Sequence, residues 1–510
     1  MLSKIKSFGL NGISGYPINI EVDVNPGLPG YDVVGLADQS IKESKSRVKS
    51  AIKNSCYKYP INKVIINMAP ADTKKEGSMY DLPIALGILC ATDEIKQNMF
   101  KDFVILGELS LDGDIRKLNG ILPMIISAKE QGHNKFIIPK ENELEASFID
   151  GIEVYAMQTL KQVVQMLKGE ISVEKVVNKK FEDVLKLHDY KHDFSYVKGQ
   201  TSAKRALEIA AAGGHNILLI GPPGSGKTML AKCFPSILPD LTFEESLEVT
   251  KIHSVAGVLD PKKGIVLERP FRSPHHTATL IALTGGGAKA KPGEISLAHN
   301  GVLFLDEMPE YARNTIETLR QPMEDGYITV SRNAASVQYP ANFILIASMN
   351  PCPCGYYGST THECKCSSSA IHNYLSKISG PLLDRIDLHI EVDSVEYEDL
   401  TTYKLEEPSA KIKERVNKAR DIQLKRFQNS PVYSNSQMNE KEFKEFCSLN
   451  KECADLLEMA FRKFNLSARA YNRILKVART IADLDGNENI EKKHLLEAIM
   501  YRSLDKKYSV

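Results

Sequence analysis

Two short strings in this chain combine residue types and spacing that suit phosphate chemistry. The first, GPPGSGKT, runs from Gly221 through Pro222, Pro223, Gly224, Ser225, Gly226 and Lys227 to Thr228 and fits G-x-x-x-x-G-K-[ST]. It follows the apolar run HNILLI and precedes the helical run MLAKCF, the strand-loop-helix setting in which such a loop binds phosphate. Glycines let backbone N–H groups approach the phosphates of ATP, Lys227 reaches the β and γ phosphates, and Thr228 binds Mg²⁺. The second string, GVLFLDE, delivers Asp306 and Glu307 at the end of an apolar strand, where ligands of open α/β sheets sit. Asp306 is expected to hold Mg²⁺, and Glu307 to polarise the attacking water as general base. A DE pair after a strand is weak alone, since such pairs are often solvated turns; after a phosphate loop it becomes strong.

A third group is Cys352, Cys354, Cys364 and Cys366, spaced C-x-C-x₉-C-x-C within fifteen residues of a Gly-, Ser- and Thr-rich loop. Four thiolates so close suit a tetrahedral structural Zn²⁺ site, and a reducing compartment argues against two disulfides. Common zinc spacings are C-x₂₋₄-C, so His362 replacing one cysteine, unliganded thiols and a redox role stay open. Cys56, Cys90, Cys233, Cys447 and Cys453 are scattered among apolar or helical residues and read as reduced structural thiols.

The elements that must position these groups fall into successive blocks. Residues 1–168 alternate β-branched runs (INIEVDV, KVIINMA, FVILGEL, KFIIP) with helical stretches, an α/β domain. Residues 169–193 are charged and weakly periodic, a linker. Residues 194–396 carry the short apolar runs of a buried parallel sheet together with all three candidate sites, the cysteine loop 352–366 included. Residues 397–510 show apolar residues at helical spacing only, a helical lid. At 510 residues and 43% hydrophobic the chain can bury its cores without disulfides. No apolar stretch reaches the roughly 18 residues that cross a bilayer, and MLSKIKSFGLNG lacks a signal-peptide pattern, so a cytoplasmic protein without membrane contact is expected. A net charge of +1 gives no whole-molecule argument for nucleic acid, so any such contact must come from local basic loops.

Over nearly its full length the chain resembles the Mg-chelatase-like AAA+ family known as YifB or ComM. The resemblance is carried by SYVKGQTSAKRALEIAAAGGHNILLIGPPGSGKTML, FRSPHHTATLIALTGGG, GVLFLDEMPE, ASMNPCPCGYYG, ISGPLLDRIDLHIEV and LSARAYNRILKVARTIADL. It implies an AAA+ P-loop core with a helical lid. It makes Asn350 the polar sensor of the lytic water, although a strand-end Asn also caps turns. Arg385 becomes an arginine finger offered to a neighbouring subunit's γ-phosphate, the plain reading being a salt bridge to Asp384 or Asp387. Arg469 matches the second sensor, with Arg473 one turn on as its competitor, and Val197, Gly199 and Gln200 resemble the segment that closes over adenine.

The resemblance extends to the N-terminal domain, which is similar to the Lon protease domain in GSMYDLPIALGIL and GELSLDGDIRKLNGILPMIISAKEQGHNKFIIPKEN. In Lon-type enzymes a Lys activates a nucleophilic Ser; here Met79 holds the nucleophile position and Leu122 the base position. Ser78 is displaced by one residue and Lys117 lies off the base position, so the domain is expected to be proteolytically inactive, an interaction or ring-forming module.

Two loops bear on the substrate. TATLIALTGGGAKAKPGEIS carries Lys289 and Lys291 beside a glycine turn, and GYITVSRNAASVQYP carries Arg332 at a hairpin tip. Basic tips repeated around a homohexamer are able to follow DNA phosphates, though such residues are also ordinary on solvated loops. The ComM resemblance implies ATP-driven translocation on single-stranded and branched DNA, namely branch migration in recombination during natural transformation. Protein remodelling, or service as a porphyrin magnesium-chelatase motor subunit, are the alternatives.

Overall fold

The computed structural model describes the whole chain except residues 1, 186–190, 288–289, 332–335, 360–361, 395–405, 429, 431, 465 and 505–510. Lys289 and Arg332 lie outside the described residues. The chain forms two compact units, Met1–Leu187 with Phe243–Leu267, and His188–Thr242 with Glu268–Val510.

The first unit is built on a seven-stranded sheet in the order Gly30–Val34, Lys63–Ala69, Ser14–Asn25, Leu2–Asn11, Phe103–Ile105, Lys135–Pro139, Glu153–Met157. Leu2–Asn11 and Ser14–Asn25 pair antiparallel around the turn at Gly12, while the three strands beyond Leu2–Asn11 run parallel. The helix Asp81–Ala91 is wholly buried and, after Asp81, which pairs with Arg47, apolar on every face, as a helix covered all round must be. Gly87 lets it approach the sheet: a Cβ there would lie 2.6 Å from Val22 and 2.8 Å from Ile5.

The sequence assigns residues 243–267 to the ATPase core, yet they pack with the N-terminal unit. Their helix, Phe243–Ala256, is anchored through Ser254, whose Oγ accepts from the Gly120 N–H at 3.1 Å and donates to the Glu145 carboxylate. Glu145 also accepts from Leu122 N at 3.3 Å and Asn142 Nδ2 at 3.0 Å, and burial holds its carboxyl above the usual range. Phe181, from the stretch read as a linker, packs with Phe243, Ile265 and Leu267.

The second unit carries a five-stranded sheet in the order Phe271–Arg272, Val302–Leu305, Ile344–Met349, Ile217–Ile220, Leu388–Glu391, with every neighbouring pair parallel. All residues of Ile217–Ile220 and Val302–Leu305 are buried, the pattern of strands covered on both faces. The Ala-rich helix Thr201–Gly213 packs on this sheet and against the C-terminal helices Ser409–Arg426 and Ala468–Leu484, so sheet and helical region share one hydrophobic core. Side chains join them as well: Gln423 donates to Ala212 O at 3.0 Å, and Ser409 Oγ accepts from Phe194 N at 2.8 Å. The run read as a hairpin pairs Tyr327–Ser331 with Ser336–Pro340.

Glu145→Ala is expected to leave Leu122 N–H, Asn142 and Ser254 with a lost buried acceptor, costing about 3 kcal/mol. Calorimetry should show the transition of the N-terminal unit falling by roughly 6–12 °C. An unchanged transition would mean that the network is not what holds Phe243–Ala256 in place.

Candidate functional site

A parallel sheet gathers the carboxyl ends of its strands on one edge, and three candidate groups stand there: Gly221 after Ile217–Ile220, Asp306 after Val302–Leu305, and Asn350 after Ile344–Met349. Gly221 has no room for a side chain, because a Cβ would lie 2.2 Å from Val392 O. Gly224 and Gly226 take φ of +78° and +88°, which only glycine adopts without strain, and Lys227–Cys233 turns helical behind them.

Lys227 folds back into this loop. Its Nζ donates to Gly221 O and Pro222 O, each at 2.8 Å, and to Asn350 Oδ1 at 3.3 Å. Burial lowers its pKa, Asp306 and Glu307 oppose that, and its hydrogen-bonding acceptors are neutral oxygens. An ammonium so held fits a triphosphate as its anionic partner. Thr228 Oγ1 donates to Asp306 Oδ2 at 2.8 Å, joining the two groups expected to hold Mg²⁺. The other Asp306 oxygen accepts from Ser348 Oγ and, at 3.2 Å, from Glu307 N.

Ser348 and His276 were not singled out from the sequence. Ser348 is a polar residue in an otherwise apolar strand, which was the available signal; besides binding Asp306 it accepts from Glu307 N at 3.1 Å. His276 Nδ1 lies 3.8 Å from Glu307 Oε2, and its ring stands edge-on to Tyr311. Glu307 is half-exposed at a left-handed φ of 52°, which turns its carboxylate out from the strand end.

Val197 is buried in the core of this unit. Gln200 donates from Nε2 to Asp393 O at 2.6 Å and Ser225 O at 3.4 Å, bridging the segment expected at adenine to the phosphate loop. Lys291 is exposed in the short ladder that pairs Gly285–Gly286 with Lys291–Pro292.

Arg385 stands apart from these groups. It precedes Leu388–Glu391, at the amino end of the parallel strands and thus at the edge opposite the phosphate loop. Its side chain is 6% exposed and pairs with Glu324, not with Asp384 or Asp387, while Nη1 donates to Pro381 O at 2.8 Å. Arg469, half-exposed, lies 3.9 Å from the same Glu324 carboxylate. Arg473 pairs with Asp387, which also accepts from Asn216 N at 2.9 Å. Burial alone would raise the Asp387 carboxyl, but Arg473, His215 and the Asn216 N–H hold it well below the usual carboxylate range.

The cysteine loop brings its four Sγ atoms within 4.8 Å of one another. Cys352 to Cys354 is 3.3 Å, Cys352 to Cys364 is 3.7 Å, and Cys354 to Cys364 is 3.6 Å. A tetrahedral ion with Zn–S bonds of about 2.3 Å needs sulfurs about 3.8 Å apart, so the donor set fits. Cys352 Sγ accepts from Tyr357 N at 3.3 Å, and the Tyr356 N–H brings the Cys354 thiol down to about 6, favouring the thiolate a metal binds. His362 stacks on Tyr356 with ring centroids 4.8 Å apart, and the cluster is made of the four cysteines without it.

In the N-terminal unit Ser78 Oγ donates to the Glu108 carboxylate, and Leu122 is buried in the core. Among the described residues no lysine hydrogen-bonds to Ser78. Nor is any described helix long and apolar enough to cross a membrane.

An open parallel sheet with a glycine-rich phosphate loop after its fourth strand, an acidic pair two strands away across Ile344–Met349 and a helical C-terminal region defines a P-loop protein of the AAA+ type. The family described as magnesium chelatase, subunit ChlI, matches residues 193–400, with related N-terminal and C-terminal families matching 20–142 and 406–502. Competence protein ComM of Haemophilus influenzae is 45% identical, over 97% of this chain and 96% of that protein. YifB of Escherichia coli is 44% identical, over 99% and 98%. The magnesium-chelatase 38 kDa subunit of Cereibacter sphaeroides is 26% identical over 31% of this chain and 52% of its own length. The chain belongs to the YifB/ComM family of magnesium-chelatase-like AAA+ proteins.

If the thiol cluster holds zinc, purified protein should carry about one zinc per chain by elemental analysis, and Cys354→Ala should lower that content. Folded, active protein free of metal would exclude the assignment.

Proposed function

We propose that this protein hydrolyses ATP in a homohexameric ring and uses the energy to move DNA, driving branch migration of single-stranded and branched DNA during recombination of incoming strands, in the cytoplasm. The observation that carries the ATPase reading is the convergence of Lys227, Asn350, Thr228, Asp306 and Glu307 at one sheet edge. The near full-length similarity to a competence protein supports the DNA reading. Lys227 and the loop N–H groups hold the phosphates, Thr228 and Asp306 hold Mg²⁺, and Glu307 takes the proton of the attacking water, with Asn350 placing it. When bound, the Mg²⁺ neutralises charge on the phosphates.

Arg385 and Arg469 lie at the opposite edge of the sheet, so their service to a γ-phosphate belongs to the site of a neighbouring chain. Lys291, and Lys289 and Arg332 outside the described residues, would follow the DNA backbone through the ring. In the N-terminal domain Ser78 is engaged by Glu108 and Leu122 stands at the base position, which favours an interaction or ring-forming role without proteolysis. The magnesium-chelatase likeness favours a chelatase motor as second reading, but that relative covers less than a third of the chain.

Glu307→Gln should bind ATP and fail to hydrolyse it, whereas Lys227→Ala should weaken both. Arg385→Ala should bind ATP and lose about 10³ to 10⁵ in turnover, and mixing it with Lys227→Ala should restore part of the rate. Mixed rings that stay inactive would make Arg385 a structural ion pair with Glu324. ATPase rates measured with single-stranded, duplex and four-way DNA, beside casein, decide the substrate: stimulation by DNA supports the motor, stimulation by casein alone a protein-remodelling enzyme.

A further inference from the structure

The four-thiol loop is tied to the nucleotide site at three points. Its first cysteine, Cys352, is fully buried and stands two residues after Asn350, whose Oδ1 accepts from Lys227. Its far end leads into the helix Ser368–Leu375, which returns Tyr374 to the start of the loop, where the Asn350 backbone N–H faces the Tyr374 hydroxyl. Midway, Gly355 lies against the phosphate loop itself: at φ +87°, a Cβ on Gly355 would lie 2.5 Å from Pro223 Cδ. The space left between the cysteine loop and the phosphate loop at this point is too small for one methyl group. The Gly355 N–H donates to Cys352 O at 3.0 Å, so the turn that presents Gly355 to Pro223 is the turn that brings Cys352 and Cys354 together.

We propose that the metal-loaded thiol loop is a wall of the nucleotide site, which sets the positions of Pro223 and Asn350 so that nucleotide turnover depends on metal occupancy. The proposal rests on the ATPase reading of that site and extends it. Cross-linking Cys352 and Cys354 to Cys364 and Cys366 through one ion closes the loop and removes its freedom to swing off the phosphate loop. Without the ion, four thiols at this spacing have no covalent or strong ionic reason to stay together, and the registry of Asn350 against Lys227 is lost with them. Catalytic groups displaced by about 1 Å lose on the order of 10² in rate, so a loop that never touches the reacting atoms is able to control them.

The test uses the full-length protein. Gly355→Ala introduces the Cβ that meets Pro223 but leaves all four cysteines in place; Gly355→Ala with Pro223→Ala removes the ring atom it meets. Zinc content, ATP turnover and affinity for a fluorescent ATP analogue are measured for each, and for wild-type protein stripped of zinc by a chelator. The expected result is wild-type zinc content in Gly355→Ala with turnover lowered between about tenfold and a hundredfold. Recovery to the rate of Pro223→Ala alone is expected in the double variant, and a comparable loss in zinc-stripped protein that retains its circular dichroism. Wild-type turnover in Gly355→Ala or in the stripped protein overturns the proposal, as does a double variant no better than the single one, since backbone strain at residue 355 would then explain the loss. Should the wild-type protein hydrolyse no ATP, the ATPase reading fails separately. The wall is then judged by nucleotide affinity alone, a change in Gly355→Ala relieved in the double variant supporting it and an unchanged affinity overturning it.

Discussion

A lysine ammonium buried beside the ends of two parallel strands organises the core of this protein. Lys227 donates to Gly221 O and Pro222 O on its own loop and to Asn350 Oδ1 on the neighbouring strand end. Burial makes such a charge costly unless oxygens surround it, and the carboxyl ends of the parallel strands supply those oxygens here. The remaining arrangement follows. Thr228, next in the chain, is delivered to Asp306, and Ser348 links Asp306 to the strand that Asn350 follows.

The same parallel topology separates the charges of the core. Acceptors and the Asp306 and Glu307 carboxylates gather at the carboxyl edge, whereas Arg385, Arg469, Glu324 and Asp387 gather at the amino edge. A single chain cannot bring both edges to one nucleotide without crossing its own sheet. That separation favours service by Arg385 to the nucleotide of a neighbouring chain. Arg385 is meanwhile held by Glu324, so its engagement of any other anion requires exchanging one carboxylate partner for another.

The N-terminal unit shows how a segment's place in the chain and its place in the fold come apart. Phe243–Leu267 lies in sequence between the phosphate loop and the acidic pair, yet its helix is moored to Gly120 and Glu145 by Ser254. Glu145 is a buried carboxylate with hydrogen bonds from three directions, an arrangement that tolerates no substitute for its partners. Part of what reads as motor is therefore structurally a component of the N-terminal unit.

The phosphate loop and acidic pair were legible because their chemistry demands residue types in an unbroken run: glycines where φ is positive, a lysine and a hydroxyl at fixed offsets, carboxylates at the end of an apolar strand. Helix and strand types were legible from the period of their apolar residues, and the cysteine cluster from four thiols in fifteen residues. Helix boundaries were less so: the continuous run KEFKEFCSLNKECADLLEMAFRKF breaks into Glu440–Phe446 and Lys451–Phe464 because Asn450 Oδ1 accepts from Cys453 N and caps the second helix. Contacts between residues far apart in the chain lay beyond any local pattern. Glu324 as the partner of Arg385, His276 beside Glu307, Ser254 on Glu145 and Gly355 against Pro223 each join segments whose separation carries no periodic signal. Local propensity and spacing depend on neighbours within a turn or a strand, and so are written in the sequence; which distant polar groups meet is decided only when the sheets close and every buried donor and acceptor must find a partner.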